Sequence, residues 1–300
     1  MDELILGDSI EIVRQLPAES AHAIISDIPY GIGYDDWDVL HGNRNSAYGG
    51  ASAAQKSAGD IFKRRGKPLN GWSEADKNIP KEYQNWCASW AGDWLRVLKP
   101  GGSCLIMAGR RYAHRCVFAM EEAGFTFKDM LSWEKEAAPH RAQRLSAIYQ
   151  RREDMENTRK WEGWRVANLR PLFEPVLWFQ KPYKLGGTIA DNVLEYGVGA
   201  WNEEALRRYN NQTESAAVFS NLIKVKTERG DRGKHIAQKP LQLMELLISL
   251  VTVEGQTVLD PFMGSGTTCL AAKRLRRRYI GIDRNPRNIE IAKERLSERQ

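Results

Sequence analysis

The chain has 300 residues, of which 42% are hydrophobic and 27% charged, a profile of folded globular proteins that excludes a disordered or fibrous chain. Its formal net charge of +6 allows a polyanionic partner without requiring one. The sequence shows no signal peptide, no apolar run near the roughly 18 residues of a membrane span, and scattered cysteines typical of reduced thiols, so we expect a cytoplasmic protein with no membrane partner.

Short apolar runs that end at turn residues predict strands, and apolar residues at helical spacing predict the helices between them. In chain order the predicted strands are residues 4–6, 23–26, 103–108, 127–133, 175–180, 257–259 and 279–282. The predicted helices are residues 9–16, 81–97, 110–123, 241–251, 269–275 and 286–299. Alternation of the two kinds of element indicates an α/β fold. Strands 127–133 and 175–180 are expected to pair as an antiparallel edge.

Residues 134–172 differ from the rest because arginines alternate with aromatic side chains, among them Trp161 and Trp164. This mixture suits phosphate contacts combined with base stacking. A solvent-exposed helix, whose arginines pair with nearby acids such as Glu153 and Glu156, explains the same pattern. Our candidates for phosphate contact are Arg141, Arg144, Arg151, Arg152, Arg165 and Arg170.

A glycine turn follows the apolar run 257–259 and precedes a helix, and it carries Asp260, Gly264 and Gly266. Asp283 ends the next strand, where a carboxylate can accept both hydroxyl hydrogens of a ribose. This order of strand, turn, helix, strand and acid predicts a nucleotide-like cofactor. Asp260 would repel a pyrophosphate but suits a cationic amine, which favours S-adenosylmethionine over NAD.

Asp27-Ile28-Pro29-Tyr30 follows directly on the predicted strand 23–26. A plain turn is the commoner meaning of such a tetrapeptide. At the carboxyl end of a central strand, however, Asp27 and the Ile28 carbonyl can both accept hydrogen bonds from one exocyclic amino group. Tyr30 can stack on the ring that carries this group, so the tetrapeptide is a candidate catalytic site.

Together these motifs resemble the β class of DNA amino-methyltransferases. The similarity rests on Gly7-Asp8, Asp27–Tyr30, the run 235–240 and the segment 260–268 with Asp283, and covers roughly residues 1–133 and 233–300. It implies a circularly permuted Rossmann-like sheet, mostly parallel with one antiparallel edge strand. Residues 1–133 would form the catalytic half, 134–232 an inserted target-recognition region with strand 175–180 in the core sheet, and 233–300 the cofactor half.

The resemblance also implies a role for individual residues. Asp27, Ile28, Pro29 and Tyr30 would be catalytic, although the family usually has proline where Ile28 stands. The cofactor's methionine end would contact Asp260, Phe262, Gly264, Gly266 and Thr267, its ribose Asp283, its adenine Asp8, and its carboxylate Lys239 and His235. The arginine candidates would contact double-stranded DNA.

We therefore expect an enzyme of a bacterial or phage-infected cell that transfers a methyl group from S-adenosylmethionine to N6 of a flipped adenine. The aspartate form of the tetrapeptide goes mostly with adenine, and cytosine N4 is the nearest alternative. An RNA or protein-glutamine methyltransferase and a non-catalytic DNA-binding module are the others. A cognate restriction endonuclease and a second copy of the chain are further partners that the family allows. The histidines form no metal-binding set.

Overall fold

The computed structural model describes residues 2–31, 74–135, 142–166, 169–211, 219–225 and 238–297. The strands of these parts are β1 (Glu3–Leu6), β2 (Ala21–Asp27), β3 (Leu98–Met107), β4 (Thr126–Glu134), β5 (Phe173–Gln180), β6 (Leu222–Lys224), β7 (Thr257–Asp260) and β8 (Arg278–Asp283). The helices are α1 (Ser9–Gln15), α2 (Glu74–Val97), α3 (Ala113–Glu122), α4 (Leu145–Gln150), α5 (Met155–Lys160), α6 (Ile189–Tyr196), α7 (Glu203–Tyr209), α8 (Leu241–Val251), α9 (Thr267–Arg274) and α10 (Pro286–Ser297).

The strands form one sheet in the order β1-β8-β7-β2-β3-β5-β4-β6. The first five strands of this order run parallel to their neighbours. Parallel strands that are covered on both faces are expected to be apolar throughout, and β2 and β3 indeed contain continuous buried runs. The predicted mostly parallel α/β sheet is confirmed.

One detail of the predicted sheet is corrected, because the antiparallel strand is internal and does not form the edge. β5 pairs antiparallel with both β3 and β4, and β6 then adds to the outer side of β4 in parallel. β6 has only three residues, which is too few for a periodic signal. It is joined to β4 by long-range contacts such as the Ser132 N–H donating to the Asn221 carbonyl at 2.7 Å.

The two ends of the chain meet in the sheet, as a circular permutation requires. β1 lies parallel beside β8, and α10, which follows β8, packs against β1. In space, β8, α10 and β1 therefore form the β-α-β unit in which a helix normally connects two parallel neighbours. The Gly7 N–H extends this pairing by donating to the Asp283 carbonyl at 3.0 Å.

Two apolar layers cover the sheet. On one face α8 is buried along most of its length and packs with α7, α9 and α10. On the other face α1, α2 and α3 pack around Trp90 and Trp94, which are both 1% exposed. α2 begins at Glu74 rather than at the predicted residue 81. Among the described helices, none combines the length and the apolar character needed to cross a membrane.

The middle segment 134–232 belongs to the sheet only in part. β5 and β6 lie in the sheet, whereas α4 and α5 have no buried residue and stand apart from either apolar layer. The division at residues 133 and 232 therefore stays a prediction, because β5, β6 and α7 of the middle segment belong to the sheet and its apolar layer.

Candidate active site

Three aspartates end neighbouring parallel strands: Asp27 on β2, Asp260 on β7 and Asp283 on β8. Because the carboxyl ends of these strands lie at one edge of the sheet, the acids border one cavity of about 350 Å³. This volume is within the range of small-molecule sites. The predicted site residues that line the cavity are Asp8, Asp27, Pro29, Lys239, Asp260, Phe262, Gly264, Thr267 and Asp283.

The two glycines of the turn after β7 serve different purposes. Both adopt the left-handed conformation, with φ of +52° at Gly264 and +75° at Gly266. A Cβ on Gly266 would lie 2.7 Å from the Ala292 Cβ, so this glycine allows α10 to pack closely. A Cβ on Gly264 would meet no atom within 4 Å, and Gly264 lines the cavity. Gly266 therefore supports the fold of the turn, and its contact to a cofactor stays a prediction.

Asp283 fixes the same turn through both of its carboxylate oxygens. Oδ2 accepts the Gly264 N–H at 3.0 Å, and Oδ1 accepts the Asn285 N–H at 2.7 Å. Asp283 lines the cavity, where a carboxylate is a suitable acceptor for hydroxyl groups. The predicted ribose site is geometrically sound because the carboxylate is held in place by the backbone it faces.

Asp260 is a buried carboxylate, 2% exposed, at the base of the cavity. Its Oδ1 accepts the Ser26 hydroxyl at 2.6 Å and the Phe262 N–H at 3.1 Å. Burial raises the pKa of Asp260 to about 6, and the hydrogen bonds from Ser26 and Thr268 offset only part of this effect. A buried acid with a raised pKa beside an open cavity is expected to gain from a cationic ligand.

Phe262 connects the cavity to the aromatic core of α2. Its ring centroid lies 5.7 Å from that of Trp86 and 6.1 Å from that of Trp94. Trp86 lines the cavity, whereas Trp94 is fully buried. Phe262 is thus a rigid wall at this point, since aromatic contacts of this kind restrict its movement.

Arg295 on α10 is a part of the turn that the sequence did not reveal. It is 7% exposed, and its Nη1 donates to the Ser265 carbonyl at 2.7 Å, the Ser265 hydroxyl at 3.1 Å and the Thr267 hydroxyl at 2.9 Å. These bonds hold the residues between the two glycines and the start of α9. An arginine in the last turn of an amphipathic helix looks like a surface residue in sequence, so no local pattern indicates this role.

The tetrapeptide 27–30 is held by β3 and α2. The Ile28 side chain is buried in the core at 1% exposure, and its N–H donates to the Met107 carbonyl at 3.2 Å. Proline, which the family usually has at this position, cannot make that bond. The Pro29 carbonyl accepts the Tyr83 hydroxyl at 2.8 Å. Ile28 lacks the rigid ring of a proline, but its N–H adds a hydrogen bond that anchors the tetrapeptide to the sheet.

Tyr30 packs against Gly109, the second residue after β3, and reaches back to Asp27. A Cβ on Gly109 would lie 2.9 Å from the Tyr30 Cβ, so the backbone of residue 109 leaves just enough room for the ring. The Tyr30 hydroxyl donates to Asp27 Oδ1 at 3.1 Å. Burial and the neighbouring Asp27 raise the pKa of Tyr30 well above its usual value, so the hydroxyl keeps its proton.

Lys239 lies at the catalytic end of the cavity. Its Nζ donates to Asp27 Oδ2 at 2.5 Å and to the Tyr30 hydroxyl at 3.1 Å. Burial would lower the pKa of Lys239, but Asp27 and Glu174 outweigh it and raise that pKa, so the ammonium stays charged. Burial raises the pKa of Asp27, and this ammonium opposes the rise. The contact to a cofactor carboxylate that the resemblance implies for Lys239 stays a prediction.

Glu174 on β5 is a partly buried carboxylate beside Tyr30, and no local signal in the sequence marks it. Lys135 donates to its Oε1 at 2.5 Å, and Lys239 Nζ lies 3.9 Å from its Oε2. Although burial would raise the pKa of Glu174, the charges of Lys239 and Lys135 lower it. The residue lies inside an apolar-looking strand more than 140 positions from Asp27, so only the sheet order brings the two together.

Of the two remaining predicted cofactor contacts, the structure describes Asp8 but not His235. Asp8 lines the cavity and caps α1, with its Oδ1 accepting the Ile10 N–H at 2.8 Å. His235 lies outside the described residues, as does Arg141 among the DNA candidates. Within the described parts, no group of His, Cys, Asp and Glu side chains is arranged to hold a metal ion.

The described arginine candidates lie on or beside a small hairpin made of α4 and α5. An antiparallel bridge between Arg144 and Arg165 closes the hairpin, and the Leu145 N–H donates to the Trp164 carbonyl at 2.9 Å. The candidates concerned, all largely or partly exposed, are Arg144, Arg151, Arg152, Arg165 and Arg170.

The arginines of this hairpin are not paired with nearby acids in the part of the chain that the structure describes. Where the chain is described, none of the five arginines forms an ion pair, so the alternative of a helix stabilised by Arg–Glu pairs loses its main support. Arg144 and Arg165 even face each other in the bridge, and like charges in this position are destabilising unless an anion compensates them.

Comparison with known proteins agrees with this site. A family model described as DNA methylase matches residues 21–294. The chain is 62% identical over 290 residues to the Type II methyltransferase M.HindIII of Haemophilus influenzae, covering 97% of this chain and 93% of the relative.

Two solved structures share the fold. TTHA0409 of Thermus thermophilus, solved in complex with S-adenosyl-L-methionine, has a TM-score of 0.59 at 19% identity and covers 99% of this chain and 93% of its own. The cytosine-N4-specific PvuII DNA methyltransferase has a TM-score of 0.62 at 17% identity. The match covers 99% of this chain and 87% of the PvuII chain. The match to the family model over most of the chain and the 62% identical relative show that the chain belongs to the DNA methylase family of N6 and N4 methyltransferases.

Proposed function

We propose that this protein transfers a methyl group from S-adenosylmethionine to the exocyclic N6 of an adenine that is flipped out of duplex DNA. The observation that carries the proposal is the shared cavity of Asp27 and Asp260. One acid begins the tetrapeptide suited to a planar amine, and the other precedes the glycine turn suited to an amino-acid cofactor.

The residues around the cavity fit S-adenosylmethionine. Asp260 offers a buried carboxylate to an ammonium group, and Asp283 offers fixed acceptors to ribose hydroxyls. Gln238 also lines the cavity, and its buried Oε1 has no hydrogen-bond partner among the described residues, which suits a ligand that donates to it. When bound, the cofactor supplies an electrophilic methyl group on a sulfonium.

The tetrapeptide prepares the nitrogen that receives this methyl group. The lone pair of an aromatic amine is delocalised into its ring, which makes the amine a poor nucleophile. Hydrogen bonds from the amine to Asp27 and to the Ile28 carbonyl favour a pyramidal nitrogen and localise the lone pair on it. Tyr30 stacks on the base and offsets part of the few kcal/mol that flipping costs. Asp27 thus orients the amine, and the methylated nitrogen would release its proton to solvent after the transfer.

The DNA itself is bound by the arginine hairpin and the residues beside it. Arginines that lack internal ion-pair partners suit phosphate oxygens, and Trp164, which is 60% exposed, lies between them. The 62% identical relative is a Type II methyltransferase, which supports DNA over RNA or a protein glutamine as the substrate. A cognate restriction endonuclease, a homodimer and a place in the bacterial cytoplasm remain predictions.

Expression of the gene in a methylation-free bacterial host, followed by sequencing that distinguishes the two modified bases, tests this proposal. We expect N6-methyladenine at one recurring sequence motif. N4-methylcytosine at such a motif would overturn the choice of base while leaving the reaction class intact. Unmodified DNA in cells that contain the folded protein would contradict both.

The affinity for the cofactor is expected to rise with pH between 5 and 7. An ammonium binds the ionised form of Asp260, whose pKa is raised to about 6. The ionised fraction falls tenfold for each pH unit well below the pKa, so binding at pH 5 should be roughly tenfold weaker than the plateau above pH 7. Titration calorimetry with S-adenosylhomocysteine, which has the same amino-acid end, measures this.

Two variants identify the group that titrates. Asp260→Asn should bind weakly at every pH with a flat profile, since the amide does not ionise. Asp27→Asn should keep the rise of affinity with pH, although burial also raises the pKa of Asp27. If the affinity of Asp260→Asn still rises with pH, Asp260 is not the group that binds the ammonium of the ligand.

A further inference from the structure

Both oxygens of Asp27 already have partners in this structure. Oδ1 accepts the Tyr30 hydroxyl, and Oδ2 accepts Lys239 Nζ at 2.5 Å. The proposed function, on which this inference rests, requires Asp27 to accept a hydrogen bond from the target amine. A carboxylate can accept further hydrogen bonds, but an ammonium is a stronger competitor for Oδ2 than a neutral amine, so the base amine binds Asp27 best once Lys239 has withdrawn.

Glu174 provides the place for Lys239 to go. Its Oε2 is buried and accepts no hydrogen bond from the described residues, which is unfavourable for a buried acceptor. The Tyr30 hydroxyl also lies close to Glu174, and its hydrogen bond in this structure is to Asp27 Oδ1 at 3.1 Å. Lys239 Nζ lies 3.9 Å from Oε2, so a movement of roughly 1 Å would form a hydrogen bond of ordinary length.

We propose that Glu174 is a positioning residue that draws the Lys239 ammonium away from Asp27 when a target amine binds there. Lys239 then exchanges one carboxylate for another, and its charge is never left without a partner inside the protein. Asp27 exchanges an ammonium for a neutral amine and keeps its negative charge. Lys135, bound to Oε1, holds Glu174 in place during this exchange.

The charge balance of the cluster supports this exchange. Asp27 and Glu174 contribute two negative charges, and Lys239 and Lys135 two positive ones. The cluster is therefore neutral with Lys239 on either acid. Because the movement is only about 1 Å, the ammonium stays close enough to attract Asp27, while the amine takes over its hydrogen bond.

Glu174→Gln tests the proposal because glutamine keeps the shape of the side chain and removes its charge. We expect the single-turnover rate of methyl transfer to fall roughly 10- to 100-fold at saturating DNA and cofactor, with affinity for S-adenosylhomocysteine within about twofold of wild type. Glu254→Gln is the matched control, since Glu254 precedes β7, pairs with Arg276 at 3.1 Å and does not line the cavity, and it should leave the rate unchanged. A wild-type rate in Glu174→Gln overturns the proposal.

A double variant separates this role from simple support of the fold. In a Lys239→Met background no ammonium occupies Asp27, so Glu174→Gln should then change the rate by less than about threefold. An equal loss in both backgrounds would mean that Glu174 acts independently of Lys239 and would overturn the proposal. Wild-type protein that methylates no DNA would instead refute the proposed function itself.

A structure of the wild-type protein with methyl-acceptor DNA and S-adenosylhomocysteine decides the matter even if a variant fails to fold or has no activity. We expect Lys239 Nζ within hydrogen-bond distance of Glu174 Oε2 and the base amine on Asp27. Lys239 still bound to Asp27, with the amine in place beside it, would contradict the exchange.

Discussion

Asp27→Asn is expected to reduce methyl transfer to DNA at least about a thousandfold while the protein still binds S-adenosylmethionine. The carboxylate accepts hydrogen bonds on both oxygens, whereas one end of the asparagine amide is a donor that repels an incoming N–H. Asp27 is also the acceptor of Tyr30 and Lys239, so the substitution disturbs the whole catalytic end of the cavity. Single-turnover assays with methyl-labelled cofactor measure the rate.

The cofactor half of the site lies on a neighbouring strand, so the loss should be confined to the chemical step. The affinity for S-adenosylhomocysteine should stay within about threefold, because Asp260 and Asp283 keep their own partners. Asp93→Asn is the matched control, since Asp93 forms an exposed ion pair with Arg14 at 3.1 Å and lies outside the site. An Asp27→Asn variant that methylates DNA at the wild-type rate would refute the mechanism.

Alanine substitutions at the two turn glycines are expected to have different consequences. Gly266→Ala places a Cβ 2.7 Å from that of Ala292 at a φ of +75°, so it should lower the free energy of unfolding by about 2–4 kcal/mol. Gly264→Ala meets no atom within 4 Å and should cost only about 1–2 kcal/mol of backbone strain. Its methyl group projects where the cavity lies, so cofactor affinity should fall about tenfold.

Thermal melting and calorimetry on the same two variants separate stability from binding. Gly266→Ala should melt several degrees lower than Gly264→Ala, and the cofactor should bind the folded Gly266→Ala protein better than Gly264→Ala. The reverse order, with Gly264→Ala the less stable protein and the better binder, would contradict the roles assigned to the turn.

The strand-end motifs could be predicted from the sequence because their signals are local. Asp27, Asp260 and Asp283 each follow an apolar run, and the glycine turn lies directly after its strand. Parallel strands then bring the three acids to one edge, which needs no knowledge of side-chain packing. The permuted order came from the resemblance to the β class, in which the catalytic strand precedes the cofactor strand and the chain ends therefore meet in the sheet.

Glu174, Arg295 and the position of β6 could not be predicted, because each depends on contacts between distant parts of the chain. Glu174 reaches the active site only because β5 lies beside β3, two places from β2 in the sheet. Arg295 is buried only because α10 packs on the glycine turn. Lys239 was expected at a cofactor carboxylate from its motif, and its bond to Asp27 became visible only with the cavity assembled.

The most direct test of the central claim uses purified protein, methyl-labelled S-adenosylmethionine and genomic DNA from a methylation-free strain, with total RNA and a denatured protein mixture as competing acceptors. After digestion to nucleosides and amino acids, chromatography with mass spectrometry locates the label. We predict label in N6-methyldeoxyadenosine and its loss in Asp27→Asn. The central claim is that the site between Asp27 and Asp260 transfers a methyl group to a base amine in DNA. Label in RNA or in glutamine, or the absence of label from every acceptor, would contradict it.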